Sequence, residues 1–209
     1  MKQRTPSRAT REARWAGLLL LLLLALLVPE RGTLSHTVQA QGLPPLKTDR
    51  GGAFTLTGHH GRPVRLGDFR GRLVLIYFGY TTCPDVCPTS LSHLQVLLRR
   101  LEEKGKHLQV LFISVDPERD TPERLAEYVP YFHPEFLGLT GTLEQITKVA
   151  RSYRVRFFKE YPESQAGYTV AHTDAVFLVD QYGRYRERYQ TRWALDDLEA
   201  AVHSLIRAP

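Results

Sequence analysis

Leu73-Val74-Leu75-Ile76-Tyr77-Phe78 is an unbroken apolar run that ends on Gly79 and gives way almost at once to Cys83-Pro84-Asp85-Val86-Cys87-Pro88. An apolar run of this kind, without alternation, marks a strand buried on both faces of a sheet. After Pro88, Leu91, Leu94, Leu98 and Leu101 recur at helical spacing as far as about Gly105. The two cysteines therefore sit where a core strand turns into a helix. Few architectures accept that arrangement, and those that do are α/β.

The rest of the chain repeats the alternation. Leu108 to Val115 reads as a second buried strand. Thr121-Pro122-Glu123 reads as a helix start, with a hydroxyl cap, a proline at the first helical position and a carboxylate near the positive end of the dipole; that helix is expected to reach about Tyr131. Thr142 opens another helix, to about Ser152. Ahead of the core, Phe54 to Thr57 and Val64 to Leu66, with glycines and Pro63 between, predict an opening hairpin. Behind it, Ala175 to Val179 and Tyr185 to Tyr189 flank the turn Asp180-Gln181-Tyr182-Gly183 as a late hairpin, and Trp193 to Ile206 closes the chain as an amphipathic helix. Buried strands alternating with helices require right-handed crossovers and a sheet covered on both faces. The expected fold is α/β and thioredoxin-like, extended by the N-terminal hairpin, and it places the dithiol at the carboxyl end of a strand, where open sheets bind ligands.

Charge excludes one class of function. Of the formal net charge of +6, residues 1–31 carry +4, from Lys2, Arg4, Arg8, Arg11, Arg14 and Arg31 against Glu12 and Glu30. The remainder holds no basic stripe with interleaved aromatics, so nucleic-acid binding is set aside. The basic stretch precedes an uncharged, leucine-rich run from Trp15 to Val28. That run is shorter than the roughly 20 residues of a spanning helix and suits a secretory signal core. Cleavage after Ala40 and retention as an anchor both stay open, with the anchor preferred. Either way the positive-inside rule puts the folded part on the extracytoplasmic, periplasmic side of the membrane. No cysteine precedes Cys83, which excludes a lipid anchor. Residues 1–29 are thus read as signal or membrane anchor, 30–50 as a Pro, Gly, Ser and Thr-containing tether, and 51–209 as the folded domain.

Exported cysteines suggest a structural disulfide, but a bridge between Cys83 and Cys87 closes so small a loop that its entropic gain is slight. A domain of this size also builds its core without a staple. At a helix N-terminus, unsatisfied N–H groups and the dipole favour thiolate, the form needed for both redox exchange and metal ligation. The three intervening residues depart from the two usual in disulfide oxidoreductases. Two cysteines fall short of a closed zinc site, whereas thiolates with one imidazole suit copper, Cu(I) above all. Of the eight histidines, His36 lies in the tether, His59 and His60 in the opening turn, His107 and His133 near element ends, and His93 and His203 within helices. His172, in Thr169-Val170-Ala171-His172-Thr173-Asp174, stands just before the late buried strand, in the loop that approaches the dithiol in a thioredoxin-like topology.

These residues carry a resemblance to the SCO/SenC copper chaperones. It rests on Gly51 to Leu56, on Tyr77 to Pro88, on Phe112-Ile113-Ser114-Val115-Asp116-Pro117-Glu118-Arg119-Asp120-Thr121-Pro122-Glu123, on Gly138 to Gly141 and on the His172 segment. The resemblance implies copper held by Cys83, Cys87 and His172. It also implies a role in assembling the binuclear copper site of cytochrome c oxidase subunit II, through copper delivery, reduction of the target's cysteines, or both. A thiol–disulfide oxidoreductase without a copper role is the alternative, with Cys83 and Cys87 as its redox pair, and a peroxidase-like relative is the weaker third. Two departures stand out: Ala171 where an Asp often precedes the histidine, and Phe177 where a Tyr is frequent. Asp85 reads either as a turn or capping residue or as a carboxylate that docks the partner. Asp116 to Asp120 reads as loop chemistry leading into the Thr121 cap.

Overall fold

A computed structural model describes residues 50–161, 167–190 and 195–207. The leader and most of the tether, with the signal or anchor reading and His36, lie outside the described residues, as does Trp193. No helix among the described residues is long and apolar enough to cross a membrane.

Among the described residues, nine strands and four helices follow in chain order. The opening hairpin is β1 (Thr55–Gly58) and β2 (Pro63–Arg65), paired antiparallel as expected, and a 3₁₀ turn Leu66–Phe69 follows it. The apolar run is β3 (Leu73–Gly79), buried at every position. It leads into α1 (Val86–Leu101), which starts two residues before Pro88 and continues as a 3₁₀ segment Glu102–His107. The buried stripe of α1 runs through Cys87, Ser90, Leu91, Leu94, Leu97 and Leu101; Leu98, chosen by spacing, only flanks it. Next come β4 (Leu108–Ser114), α2 (Pro122–Phe132), β5 (Leu137–Thr140) and α3 (Leu143–Ser152). The Thr121 hydroxyl accepts from the Arg124 amide at 3.3 Å, and Thr142 forms a reciprocal capping box with Gln145. Last are β6 (Phe157–Glu160), β7 (Thr169–His172), β8 (Val176–Val179), β9 (Tyr185–Tyr189) and α4 (Leu195–Arg207).

The main sheet has seven strands in the order β2-β1-β5-β4-β3-β8-β9. Its centre is parallel: β3 pairs with β4 from Leu73↔Leu108 to Gly79↔Ser114, and β4 pairs with β5. β8 lies antiparallel on the other side of β3, and β9 antiparallel to β8. Tyr77 and Phe112 stack toward Tyr128 of α2 on one face, while Phe78 and Phe177 meet Tyr153, at the end of α3, on the other. Both faces are therefore covered. Leu75, Ile76 and Phe78 are fully buried, and each such side chain contributes about 1.5–3 kcal/mol.

Three strands depart from the sequence reading. β5 fills the place after α2, where two consecutive helices were expected. β6 and β7 pair with each other only, as a separate two-stranded sheet, with Phe157↔His172 and Phe158↔Ala171 in register. His172 accordingly ends a strand rather than lying in a loop. All three strands are four residues long, too short for an apolar period to show against their surroundings.

Candidate metal centre

The site begins with the carboxyl end of β3. Gly79 has no side chain, and a Cβ there would meet the Cys87 sulfur and the Phe112 ring at 2.8 Å each. That bare backbone is what lets the first turn of α1 tuck the Cys87 sulfur against the sheet. Beyond Gly79 the chain is tied down by a buried carboxylate. Asp120, fully buried, accepts from the Thr81 amide (2.9 Å), the Thr81 hydroxyl (2.7 Å) and the Ser114 hydroxyl (2.6 Å). Burial raises its pKa against those hydrogen bonds. The approach to Cys83 is thus fixed from β4 and the start of α2.

Both cysteines are free thiols, and they differ. Cys87 is completely buried and Cys83 is 9 % exposed. Cys83 is held down to about 3, first by the hydrogen bond from Cys87, against the cost of burial, then by the backbone N–H groups of Asp85 and Cys87. Burial first, and Cys83 second, push Cys87 far up. The outer sulfur is therefore the one that favours thiolate, and the inner sulfur the one that favours the thiol. This matches the helix-start argument for Cys83 and reverses it for Cys87, where desolvation wins.

His172 arrives from the other side. Its Nε2 is 3.3 Å from the Cys87 sulfur, and its ring stands edge-on to Tyr80 (5.9 Å) and Tyr77 (6.2 Å). The other ring nitrogen, Nδ1, lies 3.2 Å from the Thr173 carbonyl oxygen. A carbonyl only accepts, so this contact keeps the proton on Nδ1 and leaves the Nε2 lone pair toward sulfur. Just past the histidine, the Asp174 carboxylate accepts from the Tyr77 (3.2 Å) and Ser90 (3.3 Å) hydroxyls, which ties the exit of β7 to β3 and α1.

Among the described residues, Cys83, Cys87 and His172 are the only group of three metal-ligating side chains, with their ligand atoms all within 4.8 Å of one another. Two sulfurs and an imidazole nitrogen with a bare lone pair fit a soft, low-coordinate ion and lack the fourth ligand of a closed zinc site. The chain matches the SCO1/SenC family model over residues 44–207. The chain belongs to the SCO1/SenC family. It is 44 % identical over 159 residues to the mitochondrial protein SCO2 homolog of Bos taurus, covering 75 % of this chain and 60 % of that one. With the mitochondrial protein SCO1 homolog of Homo sapiens it shares 37 % identity over 159 residues, covering 75 % and 53 %. The chain therefore spans about 60 % or less of the length of these two relatives. Among solved structures it is similar to Bradyrhizobium japonicum ScoI with copper bound, at 38 % identity and TM-score 0.68, covering 75 % of this chain and 99 % of that one. Arabidopsis thaliana ScoI with copper bound gives 36 % identity and TM-score 0.70, covering 76 % and 99 %. The thioredoxin-like α/β fold of Sco proteins is the fold seen here.

The remaining sequence candidates fall elsewhere. His59 is not merely an exposed turn residue: its Nδ1 accepts from the Gly138 amide at 3.1 Å and latches the hairpin to β5, while His60 packs edge-on against it. His133 accepts from the Glu135 amide, and His203 lies near Glu199 on α4. Asp85 occupies the N-cap position of α1 and is exposed, and its side chain makes no cap hydrogen bond. The stretch from Asp116 to Asp120 is more than a lead into a cap. Asp116 and Asp120 are buried, and both organise the site. Tyr77, Tyr80, Asp120, Tyr168 and Asp174 were absent from the sequence candidates because their roles depend on contacts between distant segments.

Proposed function

We propose that this chain binds copper through Cys83, Cys87 and His172 and serves the assembly of the binuclear copper site of cytochrome c oxidase subunit II. The observation that carries the reading is the closeness of those three ligand atoms, with His172 Nδ1 turned to the Thr173 carbonyl and Nε2 to the Cys87 sulfur. Copper is cargo here. When bound it supplies soft thiolate and imidazole coordination, and the protein's part is to present two sulfurs of unequal basicity and one preset imidazole. The folded part lies on the extracytoplasmic side of the membrane, anchored by residues 1–29 or released after cleavage, as the basic stretch before the leucine run supports. Asp85 is the carboxylate that docks the partner in this reading, which its exposure two residues after Cys83 supports. Metal analysis of anaerobically reduced protein tests the reading. The expected result is about one copper per chain, lost in Cys83→Ser and Cys87→Ser, with an altered Cu(II) spectrum in His172→Ala. A native spectrum in His172→Ala would overturn the ligand set.

One observation favours a second activity at the same site. A depressed outer thiol over a protonated inner one is the arrangement of an attacking and a resolving cysteine. The Cys83 thiolate attacks a target disulfide, forming a mixed disulfide and releasing one target thiolate. Cys87 then loses its proton and attacks Cys83, forming the Cys83–Cys87 disulfide and releasing the second target thiolate. Two electrons pass to the target. A mixed disulfide that accumulates in Cys87→Ser and not in Cys83→Ser checks the order of attack.

A further inference from the structure

The hairpin that carries His172 lends no strand to the main sheet, so side chains must hold it against the dithiol. Its base is closed within itself, by the Thr173 amide to the Arg156 carbonyl (3.0 Å) and the Arg156 amide to the Thr173 hydroxyl (3.1 Å). Its exit is tied at Asp174, as described above. The body of the hairpin is gripped by the loop after β4. The Arg119 guanidinium lies over the Tyr168 ring, 3.8 Å from its centre, and donates to the Tyr168 carbonyl at 2.9 Å. Its Nε donates to the buried Asp116 carboxylate, and the Tyr168 hydroxyl donates to the same carboxylate at 2.8 Å. Lys159 of β6 also lies against the Tyr168 ring, at 4.3 Å, and pairs with Glu118 of the loop.

Arg119, Asp116 and Tyr168 thus close a ring of contacts between two segments about fifty residues apart. The ring touches the site. The Arg119 guanidinium centre is 5.7 Å from the centre of Tyr80, and Tyr80 is the aromatic wall against which the His172 ring stands. A planar guanidinium can stack on tyrosine and donate sideways at once, which an ammonium cannot.

We propose that Arg119, fixed by Asp116, is the positioning residue for His172: its grip on Tyr168 holds the β6–β7 hairpin at the height that brings Nε2 to the Cys87 sulfur. The proposal rests on the copper reading of the site. Loosening the grip leaves both sulfurs in place at the junction of β3 and α1 and frees only the imidazole arm.

The test uses Arg119→Ala, Arg119→Lys and Tyr168→Phe in the protein spanning residues 1–209. In metal-free protein, amide exchange across β6–β7 is expected to quicken roughly tenfold in Arg119→Ala while β3 and β4 keep their protection. Cu(II) affinity is expected to fall roughly 10- to 100-fold, with a shifted thiolate-to-copper band. Arg119→Lys is expected to recover little of either. Native exchange in the hairpin, or a native band and affinity despite faster exchange, would overturn the proposal. Arg119→Ala strips a buried carboxylate of its cation, so Tyr168→Phe, which removes only the hydroxyl bond to Asp116, decides the matter if that variant does not fold. A smaller change in the same direction supports the proposal, and native behaviour overturns it. His172→Ala run in parallel separates the two readings. If its Cu(II) spectrum is native, the copper reading fails, while hairpin exchange in metal-free protein still decides the grip.

Discussion

The two halves of the metal centre are built to different standards. The sulfurs sit on the junction of β3 and α1, at the carboxyl end of a central strand, with Cys87 fully buried and the approach to Cys83 tied by the buried Asp120. The imidazole sits on a two-stranded hairpin outside that sheet, held by a cation over a tyrosine ring and a few long-range hydrogen bonds. Contacts of the first kind open only with global unfolding, and contacts of the second kind open locally. A centre made this way can keep its sulfurs preorganised while its third ligand comes and goes, as the proposed release of copper requires.

The contrast within the sulfur half gives the largest expected effect. A thiol lowered in pKa is reactive at every pH above that value and loses reactivity only as pH falls through it. Cys83, held down to about 3, should therefore alkylate at a nearly constant rate from about pH 8 to about pH 5. An ordinary thiol slows on the order of 10²- to 10³-fold across that range. Mass spectrometry of iodoacetamide-treated, metal-free reduced protein reads both sites, and Cys87 should stay unlabelled. A hundredfold slowing of Cys83 over that range would mean that its thiol is not held down, which would remove the distinction between outer and inner thiol.

Asp120→Ala probes the tie between that half and the sheet. It leaves the Thr81 amide, the Thr81 hydroxyl and the Ser114 hydroxyl without their acceptor, at an expected cost of about 2–4 kcal/mol in global stability. Denaturant melts measure it. A loss confined to local exchange near Thr81, with a native melt, would show that the sulfur half is as loosely attached as the hairpin. Gly79→Ala is the finer probe. A methyl group at 2.8 Å from the Cys87 sulfur and from Phe112 must displace one of them, for about 1–3 kcal/mol. The Cu(II) spectrum should change with it, although no ligand is altered.

The same division explains what could be read from the sequence. β3, the cysteine segment and α1 announce themselves through an apolar run, a dithiol and a leucine period, all within one stretch of chain. Thr121 and Thr142 were legible as caps because capping is local. The hairpin was not. Phe157 to Glu160 and Thr169 to His172 are too short to show a period, and their partners are each other. His172 could be singled out by topology and family resemblance, but the strand beneath it could not. Arg119 and Asp116 read as turn chemistry because Tyr168, the residue that gives them meaning, lies far along the chain. α1 shows the same on a smaller scale: spacing picks Leu98, and packing buries Leu97 instead.

The pairing of Phe157 with His172 carries a consequence for how such a chain can fail. Neighbouring residues of a strand face opposite ways, so a shift of one position in this short ladder would turn Ala171 toward the sulfurs and His172 toward water. Every motif would survive in the sequence, and the dithiol would be untouched, yet the third ligand would be gone. Reading the ligands of a relative off an alignment therefore presumes that the two short strands of its hairpin have kept step.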